Sequence, residues 1–413
     1  MASTLDYINV SGVKIPVIFE QDTRLPIISM QLVFTGSGSI DEGTQAGLAR
    51  LSGKMLGEGS LKKGSVGFAS ALEERAISLS ATAGNETFVV ELGSLKEEFD
   101  TGLDLLEEQL MGPNFTPETL EKVKTITVSE IARKEADFDT VASNELKAVL
   151  FEGTPMATPN IGTKESIGAI GLDDVRRFVS DHLVLSNALI VIGGDISIED
   201  AKAKISALLS KLAVGKPSAP RYYEPRTTPK ESILKRPSTE QAYLYFGSPF
   251  AMKEGDPEYY KARVAMFILG SSGFGSRLME EVRVKRGLAY SAYSRLSVAK
   301  TNTYFSGYLQ TKIESQEEAK ATVQSVIKDF VRDGVTQNEL DQAKKFLLGS
   351  EPLRVETLSQ RLGRTFSEYY ANKPLGSSIQ ELESIRNLTL SDLNDFIKRH
   401  GEINDLSYAI VTK

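Results

Sequence analysis

Histidine and cysteine, which often bind metals or act as nucleophiles in proteins, are scarce in this sequence of 413 residues. Cysteine is absent, so the chain can form neither disulfides nor thiolate ligands and nucleophiles. The two histidines, His182 and His400, end two similar segments in different halves of the chain. Their matching positions favour a structural role over a catalytic or metal-binding one.

The segment from residue 270 to 290 combines small residues with two strong hydrogen-bond donors. Arg283 and Tyr290 lie seven residues apart in it. A fixed guanidinium and a phenol can donate hydrogen bonds to a peptide carbonyl, or to the oxyanion formed when that carbonyl is attacked. The glycines of the segment do not complete a dinucleotide-binding or P-loop pattern, so they predict only a loop before a helix.

An internal repeat indicates how the elements that position these residues are organised. Thr116 and Thr336 begin similar segments 220 residues apart, and the segments Ser166–His182 and Ser384–His400 repeat at an offset of 218. Two segments in the same order and at nearly the same offset predict a duplicated domain.

The two halves meet at a stretch rich in proline. Residues 214–231 contain four prolines and little apolar periodicity, which predicts an extended connector. We therefore expect an N-terminal domain over 1–213, a linker over 214–231 and a homologous C-terminal domain over 232–413.

Each half has the pattern of an α+β domain. Alternating apolar residues at 27–34 and 241–246 predict strands with one buried face. Thr336 with Glu339 forms a capping box before a helix, and Pro117 after Thr116 fits the first position of another. Strands near 187–193 and 406–412 end the halves. The prediction is two homologous domains, each a mostly antiparallel sheet covered by helices on one face.

Composition excludes several classes of partner. The chain is 41% hydrophobic and 25% charged, as in ordinary globular domains, and its net charge of −7 disfavours nucleic acid. No apolar run reaches 18 residues, so we predict no membrane span.

The segment 270–290 closely resembles the pitrilysin and mitochondrial-processing-peptidase family, whose members carry an inverted zinc motif. The Ser-Arg-Leu sequence at 276–278 and the Gly-Leu-Ala-Tyr sequence that ends at Tyr290 carry the resemblance. It implies that Arg283 and Tyr290 are the pair that reaches substrate across a clam-like chamber, of which this chain would form one half.

The first half resembles the family in the sequence around the zinc motif, from Gly36 through Gly47 to Gly59, but it lacks the motif itself. Active members carry His-x-x-Glu-His where this chain has Arg50, Gly53 and Lys54, and Glu130 fits the distal acidic ligand. Two cations repel a divalent metal, glycine supplies no base, and one carboxylate cannot hold zinc. We therefore expect no metal in this chain. A cationic pair could instead carry the charge of the missing metal, and Glu130 could equally be a solvated helix residue.

The family also clamps extended peptides onto a sheet edge. The five residues that occupy the place of that edge strand are Ser78, Leu79, Ser80, Ala81 and Thr82. Strand addition binds main chain and so tolerates many sequences. An ordinary edge strand is the alternative interpretation.

The resemblance implies a non-catalytic, substrate-binding subunit of a two-subunit zinc metallopeptidase. A homologous zinc-bearing subunit would supply the metal, and this chain would supply Arg283 and Tyr290. We expect no activity from the chain alone. A heterodimer is expected, and a homodimer of the isolated chain stays open. The family and a short Met-Ala-Ser start that could replace a removed leader indicate the bacterial periplasm.

Two other functions remain open at this stage. One is a scaffold or interaction protein with the peptidase fold and no proteolytic role, like the core proteins of the respiratory cytochrome bc complex. The other is an enzyme active alone, with a metal site of another kind built from Glu130 and other carboxylates. Stoichiometric zinc in the purified chain would favour the second.

Overall fold

The structure is a computed structural model, and it describes residues 3–219 and 221–413. The strands are β1 (Thr4–Val10), β2 (Val13–Gln21), β3 (Ile27–Thr35), β4 (Ser78–Ala83), β5 (Thr87–Leu95), β6 (Ala188–Gly194), β7 (Glu231–Lys235), β8 (Gln241–Pro249), β9 (Ala289–Val298), β10 (Thr303–Lys312) and β11 (Ser407–Thr412). The predicted strands in both halves are confirmed.

Helices occupy most of the chain between the strands. They are α1 (Leu48–Leu56), α2 (Gly64–Glu73), α3 (Phe99–Met111), α4 (Pro117–Glu135), α5 (Phe138–Leu150), α6 (Lys164–Ala169), α7 (Leu172–His182), α8 (Ile198–Leu209), α9 (Tyr259–Met266), α10 (Arg277–Met279), α11 (Gln316–Asp333), α12 (Gln337–Gly349), α13 (Leu358–Tyr370), α14 (Ser377–Asn387) and α15 (Leu390–Arg399). The capping box before α12 and the proline at the first position of α4 are as predicted. Within the described residues, we find no helix with the length and apolar character needed to cross a bilayer.

The two sheets repeat one topology. The first sheet has the order β1-β2-β6-β3-β5-β4, and the second has the order β7-β11-β8-β10-β9. Without β1, the strands match one to one in order and direction, and the only parallel pairs, β2 with β6 and β7 with β11, are equivalent. The fold is therefore α+β with two homologous domains built on mostly antiparallel sheets, which confirms the duplication inferred from sequence.

Each sheet buries one face under helices. In β3 the core side carries Ile28, Met30, Leu32 and Phe34, because side chains alternate between the two faces of a strand. In β8 the core side carries Ala242, Leu244 and Phe246. These are the residues that the alternating pattern predicted.

The compact units are not continuous in sequence. One unit contains residues 3–132, 159–219 and 354–367, and the other contains 133–158, 221–353 and 368–413. Each half thus contributes one segment to the unit formed mainly by the other half. The predicted boundaries at 213 and 231 stay a prediction. Of the described residues in 214–230, none is helical or extended in a strand.

The contributed helices pack on the sheet face opposite the core. In the second unit, α5 contacts β8 and β11, and Gly247 lies under its leucines. A Cβ on Gly247 would come within 3.0 Å of Leu150 and 3.4 Å of Leu146, so glycine permits the close approach. In the first unit, α13 places Leu358 and Leu362 against the equivalent face of the first sheet. Each sheet therefore has a helix, α5 or α13, on the face opposite the core, in addition to the helices predicted on one face.

Candidate functional site

The degenerate zinc-motif positions lie on α1 and α4 of the first unit. Leu48, Leu51, Met55 and Leu56 hold the buried face of α1 in the core. The opposite face carries Arg50 and Lys54 one turn apart, as expected for positions i and i+4. Gly53 is buried between the two faces.

A buried carboxylate fixes the start of α1. Glu42 accepts hydrogen bonds from the backbone N–H groups of Gly47 and Ala49, at 2.7 and 2.8 Å. Burial raises the pKa of Glu42 to about 7, against the lowering effect of these backbone hydrogen bonds. This cap sets the direction in which α1 presents Arg50 and Lys54.

Lys54 and Arg50 occupy the space beside Glu130. The Lys54 Nζ donates to Glu130 Oε2 at 2.7 Å and to Thr127 Oγ1 at 3.1 Å. An Arg50 guanidinium nitrogen lies 3.9 Å from Glu130 Oε1. The three side chains are between 20% and 35% exposed, so the ion pairs are only partly screened by solvent. The structure thus brings Arg50, Lys54 and Glu130 together, as the zinc-motif frame predicted.

These residues do not fit zinc. Protonated lysine and arginine have no lone pair for a metal, and the one carboxylate present already accepts from an ammonium group. Among residues 3–219 and 221–413, no cluster of three or more His, Cys, Asp or Glu side chains could hold a metal ion. No support therefore exists for the alternative metal site built from Glu130 and other carboxylates. Thr127 was missed in the sequence, although it lies three residues before Glu130 on α4.

The five predicted edge residues all lie in β4, the outermost strand of the first sheet. β4 pairs with β5 on one side, and no other strand of the described chain pairs with its free edge. Ser78, Ser80 and Thr82 are exposed, while Leu79 and Ala81 turn toward the core. The free edge therefore offers backbone donors and acceptors to an added strand.

Gly53 lets α1 approach this edge strand. A Cβ at Gly53 would lie 3.1 Å from the carbonyl oxygen of Ala81 and 3.5 Å from the Cα of Thr82. A longer side chain in the same place would require β4 or α1 to shift. The position at which active relatives carry the catalytic glutamate thus lacks a carboxylate and lies close to the backbone of β4.

The sheet face beside β4 continues into a cavity of about 600 Å³. Ile27, Ser29 and Gln31 of β3 line the cavity together with residues of β6 and the start of α13. Gln31 donates to Glu91 of β5 at 2.6 Å, and Glu91 lies opposite Ser80 of β4. This row joins the cavity to the edge strand across two strand spacings, about 10 Å.

Arg283 lies in a helical segment of the second unit with a π-helical turn at Glu280–Val284. The Ser276 hydroxyl caps the start of the segment, and Arg277 forms two hydrogen bonds with the Glu339 carboxylate, at 2.6 and 2.8 Å. The backbone N–H of Lys285 then reaches the carbonyl of Glu280 at 2.9 Å. A π turn moves the following side chains around the helix axis, and such turns are frequent at functional sites.

A strand irregularity lies beside the exposed Tyr290. The pairing of β9 with β10 shifts between Ala289 and Ala292, and both alanines face the core. An extra residue therefore lies between them. Tyr290 follows the core-facing Ala289, so it points away from the core and is 81% exposed.

Arg283 and Tyr290 are brought together with an aromatic residue that sequence reasoning missed. The guanidinium carbon of Arg283 lies 4.3 Å from the ring centroid of Tyr290 and 4.7 Å from that of Phe274. Phe274 is 68% exposed and lies between Gly273 and Gly275. An aromatic residue between two glycines is a sequence signal that could have identified it as an exposed loop residue. Among the described residues, no carboxylate pairs with Arg283. Its donors are therefore available to an external acceptor, while the rings hold the guanidinium in place.

Both histidines have structural contacts. His182 stacks on Phe178 with centroids 4.5 Å apart, and its Nδ1 lies 3.3 Å from the carbonyl oxygen of Gly36. His400 stacks on Phe250 at 4.2 Å, and its Nδ1 lies 2.8 Å from the carboxylate of Glu402. The structural interpretation of the repeated histidines agrees with this geometry.

Comparison with known proteins gives consistent matches to one family. The model of the insulinase family (peptidase family M16) matches residues 17–164, and that of the peptidase M16 inactive domain matches residues 169–347. A curated Helicobacter pylori protein named non-peptidase homolog YmxG is 44% identical over 411 residues, which cover 100% of this chain and 95% of the relative.

Solved structures extend the similarity to the fold. A peptidase M16 inactive domain from Pseudomonas fluorescens superposes with a TM-score of 0.90 at 26% identity, covering 99% of this chain and 98% of the other. A protease from Helicobacter pylori superposes with a TM-score of 0.87 over 100% of both chains, at 14% identity, and this shows the fold alone.

Proposed function

This chain belongs to the insulinase family of peptidases (M16), and we propose that it is a non-catalytic, substrate-binding subunit of a two-chain zinc metallopeptidase. In this proposal a homologous partner supplies the metal and the base. This chain supplies Arg283 and Tyr290, and its own zinc-motif positions take no part in the chemistry.

The contrast between the two motif regions carries the proposal. In the first unit, Lys54 and Arg50 neutralise Glu130 and leave no ligand set. In the second unit, Arg283 has no acidic partner among the described residues, and Tyr290 is exposed beside it. Arg277 of the same segment, by contrast, is paired with Glu339. The free pair supports a role in contact with substrate.

The chemistry open to Arg283 and Tyr290 is hydrogen-bond donation. The guanidinium presents several N–H groups in a rigid plane, and the phenol adds one O–H donor. Donors that are already in place stabilise the negative charge on a carbonyl oxygen during attack and cost no reorganisation. The rings of Phe274 and Tyr290 beside Arg283 restrict the movement of the guanidinium.

The edge strand supplies a surface for the peptide main chain in this proposal. β4 has a free edge, and its exposed serines and threonine leave room for an added strand. The cavity beside β3 would then receive a side chain of a peptide held at this edge. Sequence tolerance and degradation of many different peptides would follow from binding through the main chain.

A zinc-bearing partner is the requirement that can be tested first. Helicobacter pylori has both the non-peptidase homologue and a protease of this fold, which supports pairing of two such chains. Capture of this chain from its host is expected to bring down a homologous chain with His-x-x-Glu-His in a one-to-one ratio. The periplasm stays our proposed compartment, to be checked in the same fractionation.

Peptidase activity of the reconstituted pair tests the roles of the two residues. The double variant Arg283→Ala with Tyr290→Phe is expected to lower kcat/KM by about 10²-fold or more, the effect of losing oxyanion donors. Arg286→Ala is the matched control, because Arg286 lies in the same segment but pairs with Glu281. Full activity of the double variant would overturn the proposal.

A scaffold with the peptidase fold is the second candidate. The name of the Helicobacter pylori relative, a non-peptidase homologue, favours it. A scaffold would bind no extended peptide at β4 or at Arg283. Peptide binding by the chain alone and by the pair therefore separates the two functions.

A further inference from the structure

A small cleft in the second unit collects cations and hydroxyl groups. It is lined, among others, by Ser143, Lys147, Tyr245, Tyr293, Arg295 and Tyr304. It lies on the sheet face opposite the core, between α5 and the strands β9 and β10. Its volume of about 20 Å³ admits one small polar group and no larger molecule.

Aromatic packing holds the walls of this cleft. The ring of Tyr308 lies 4.2 Å from that of Tyr293, edge to face, and stacks on that of Tyr245 at 5.3 Å. The Tyr245 hydroxyl donates to Asp139 at 3.1 Å, and Asp139 is not among the residues that line the cleft. The cleft is therefore a fixed feature whose lining carries two positive charges and no negative one.

Lys147 is a partly buried cation without a partner in this cleft. Within the described chain, its ammonium group forms no hydrogen bond or ion pair. Burial lowers the pKa of Lys147, and the charge of Arg295 lowers it further. Neither effect is offset by a carboxylate, so the pKa of Lys147 stays below its usual range in the free protein.

Three other partly buried cations of the chain are paired. Lys54 binds Glu130, Arg277 binds Glu339 and Arg361 binds Glu20, each at 2.6 to 2.7 Å. Lys147 is partly buried without such a partner, and the exposed Arg295 adds a second cation to the same cleft. A partly buried cation without a carboxylate partner is stabilised by a counter-ion, which makes an external anion the natural counterpart.

We infer that this cleft binds a carboxylate group of a peptide, held by Lys147 and Arg295 with hydroxyl donors from Tyr293, Tyr304 and Ser143. The assignment to a peptide rests on the proposed function, whereas the anion site itself does not. A carboxylate matches the size of the cleft and the opposite charge of its lining. The group can come from the C-terminus of the peptide or from an Asp or Glu side chain.

The position of the cleft along β9 predicts how far the carboxylate lies from the peptide residue that contacts Tyr290. Arg295 lies five residues after Tyr290 on the same strand, about 17 Å at the rise of an extended chain. A peptide that runs along β9 from Tyr290 would bring its fourth to sixth residue to the cleft. The carboxylate site would thus favour short peptides that end, or carry an acid, about five residues from the contact with Tyr290.

Fluorescence anisotropy with the full chain tests this inference. The probes are three fluorescein-labelled octapeptides of Ala, Ser and Leu, and they differ only in their carboxylates. One has a free C-terminus, one has a C-terminal amide, and one has the amide and a single internal Glu. We expect at least one acidic peptide to bind about tenfold or more tightly than the neutral peptide, and the two acidic forms distinguish the source of the group.

Variants of the cleft residues test whether the preference for acidic peptides arises at this cleft. Lys147→Gln and Arg295→Gln are each expected to reduce the preference for the acidic peptide to nearly one, with the protein still folded by circular dichroism. Lys312→Gln is the control, because it removes an exposed charge from the same sheet at the end of β10. Equal binding of all three peptides, no binding of any, or a preference that survives both cleft variants would overturn the inference.

Failure of the proposed function would look different. The double variant Arg283→Ala with Tyr290→Phe is expected to leave the preference for the acidic peptide unchanged. A pair with normal kcat/KM in that double variant, together with an intact preference, would remove the proposed catalytic contribution and keep the carboxylate site.

Discussion

Single residues decide which chemistry each of the two motif regions can perform. Lys54 places an ammonium group 2.7 Å from Glu130, where a metal would need a free carboxylate. At the second site, Arg283 is left with aromatic neighbours only. A cationic side chain therefore serves as a counter-ion in one place and as a free donor in the other, because of what lies within about 4 to 5 Å.

Glu42 gives a prediction about pH. Its pKa is raised from 4.5 to about 7 in the folded state, so the folded chain keeps this proton while the unfolded chain releases it. Between pH 4.5 and 7, the free energy of unfolding should therefore fall by up to about 3 kcal/mol relative to Glu42→Gln. Urea unfolding at several pH values measures the difference. Glu121→Gln, at an exposed position, is the control, and parallel profiles for Glu42→Gln and wild type would contradict the prediction.

Lys147 gives a prediction about stability. Its replacement by Gln removes a partly buried cation that Arg295 repels, and leaves a polar group of similar length. We expect Lys147→Gln to raise the free energy of unfolding by about 1 kcal/mol. Thermal unfolding with Lys312→Gln alongside checks this. A lower melting temperature for Lys147→Gln alone would mean that Lys147 already has a stabilising contact.

At the scale of elements, α1 and α4 keep the arrangement of a metal site whose ligands have been replaced. Positions 50 and 54 share a helix face, and Glu130 on α4 reaches both. We expect the double variant Arg50→His with Lys54→His to bind zinc, because two imidazoles at i and i+4 and one carboxylate make three protein ligands. Metal analysis after gel filtration is the measurement.

The same variant separates metal binding from catalysis. Adding Glu130→Gln should abolish the zinc binding, and the absence of zinc in the double variant would show that α1 and α4 are not positioned as described. We expect no peptidase activity from the double variant, since Gly53 offers no base and lies against Ala81 of β4.

At the scale of the whole molecule, each sequence half contributes a helical segment to the unit built mainly by the other. The α5 leucines at 146 and 150 are buried in the second unit, and α13 covers part of the first sheet. We expect fragments 1–213 and 232–413 to be unstable or aggregated when made separately, because each would expose an apolar face.

Co-expression of the two fragments should restore a soluble complex with the circular dichroism of the intact chain. Size-exclusion chromatography gives the result. Two fragments that each fold alone with cooperative unfolding would show that the exchanged helices contribute little to stability.

Much of this arrangement is readable in the sequence because it depends on local patterns. Alternation gave the strands at 27–34 and 241–246, and the capping box gave the start of α12. The repeat offset of about 220 residues predicted the duplication. The cations at 50 and 54 determined that no zinc ligand set exists here, since their chemistry does not depend on the fold.

Only the tertiary structure decided which distant groups meet. The contact of Lys54 with Glu130 joins residues 76 apart, and the placement of Lys147 beside Arg295 joins two elements with no sequence signal in common. The contact of Arg283 with Tyr290 and Phe274 joins a helical segment to a strand and a loop. Periodicity reports which face of an element is buried, whereas packing between elements selects the partner on that face. The sequence by itself thus determined the fold class and the replacement of the zinc-motif residues, and the folded chain determined which cations are paired and which are free to bind.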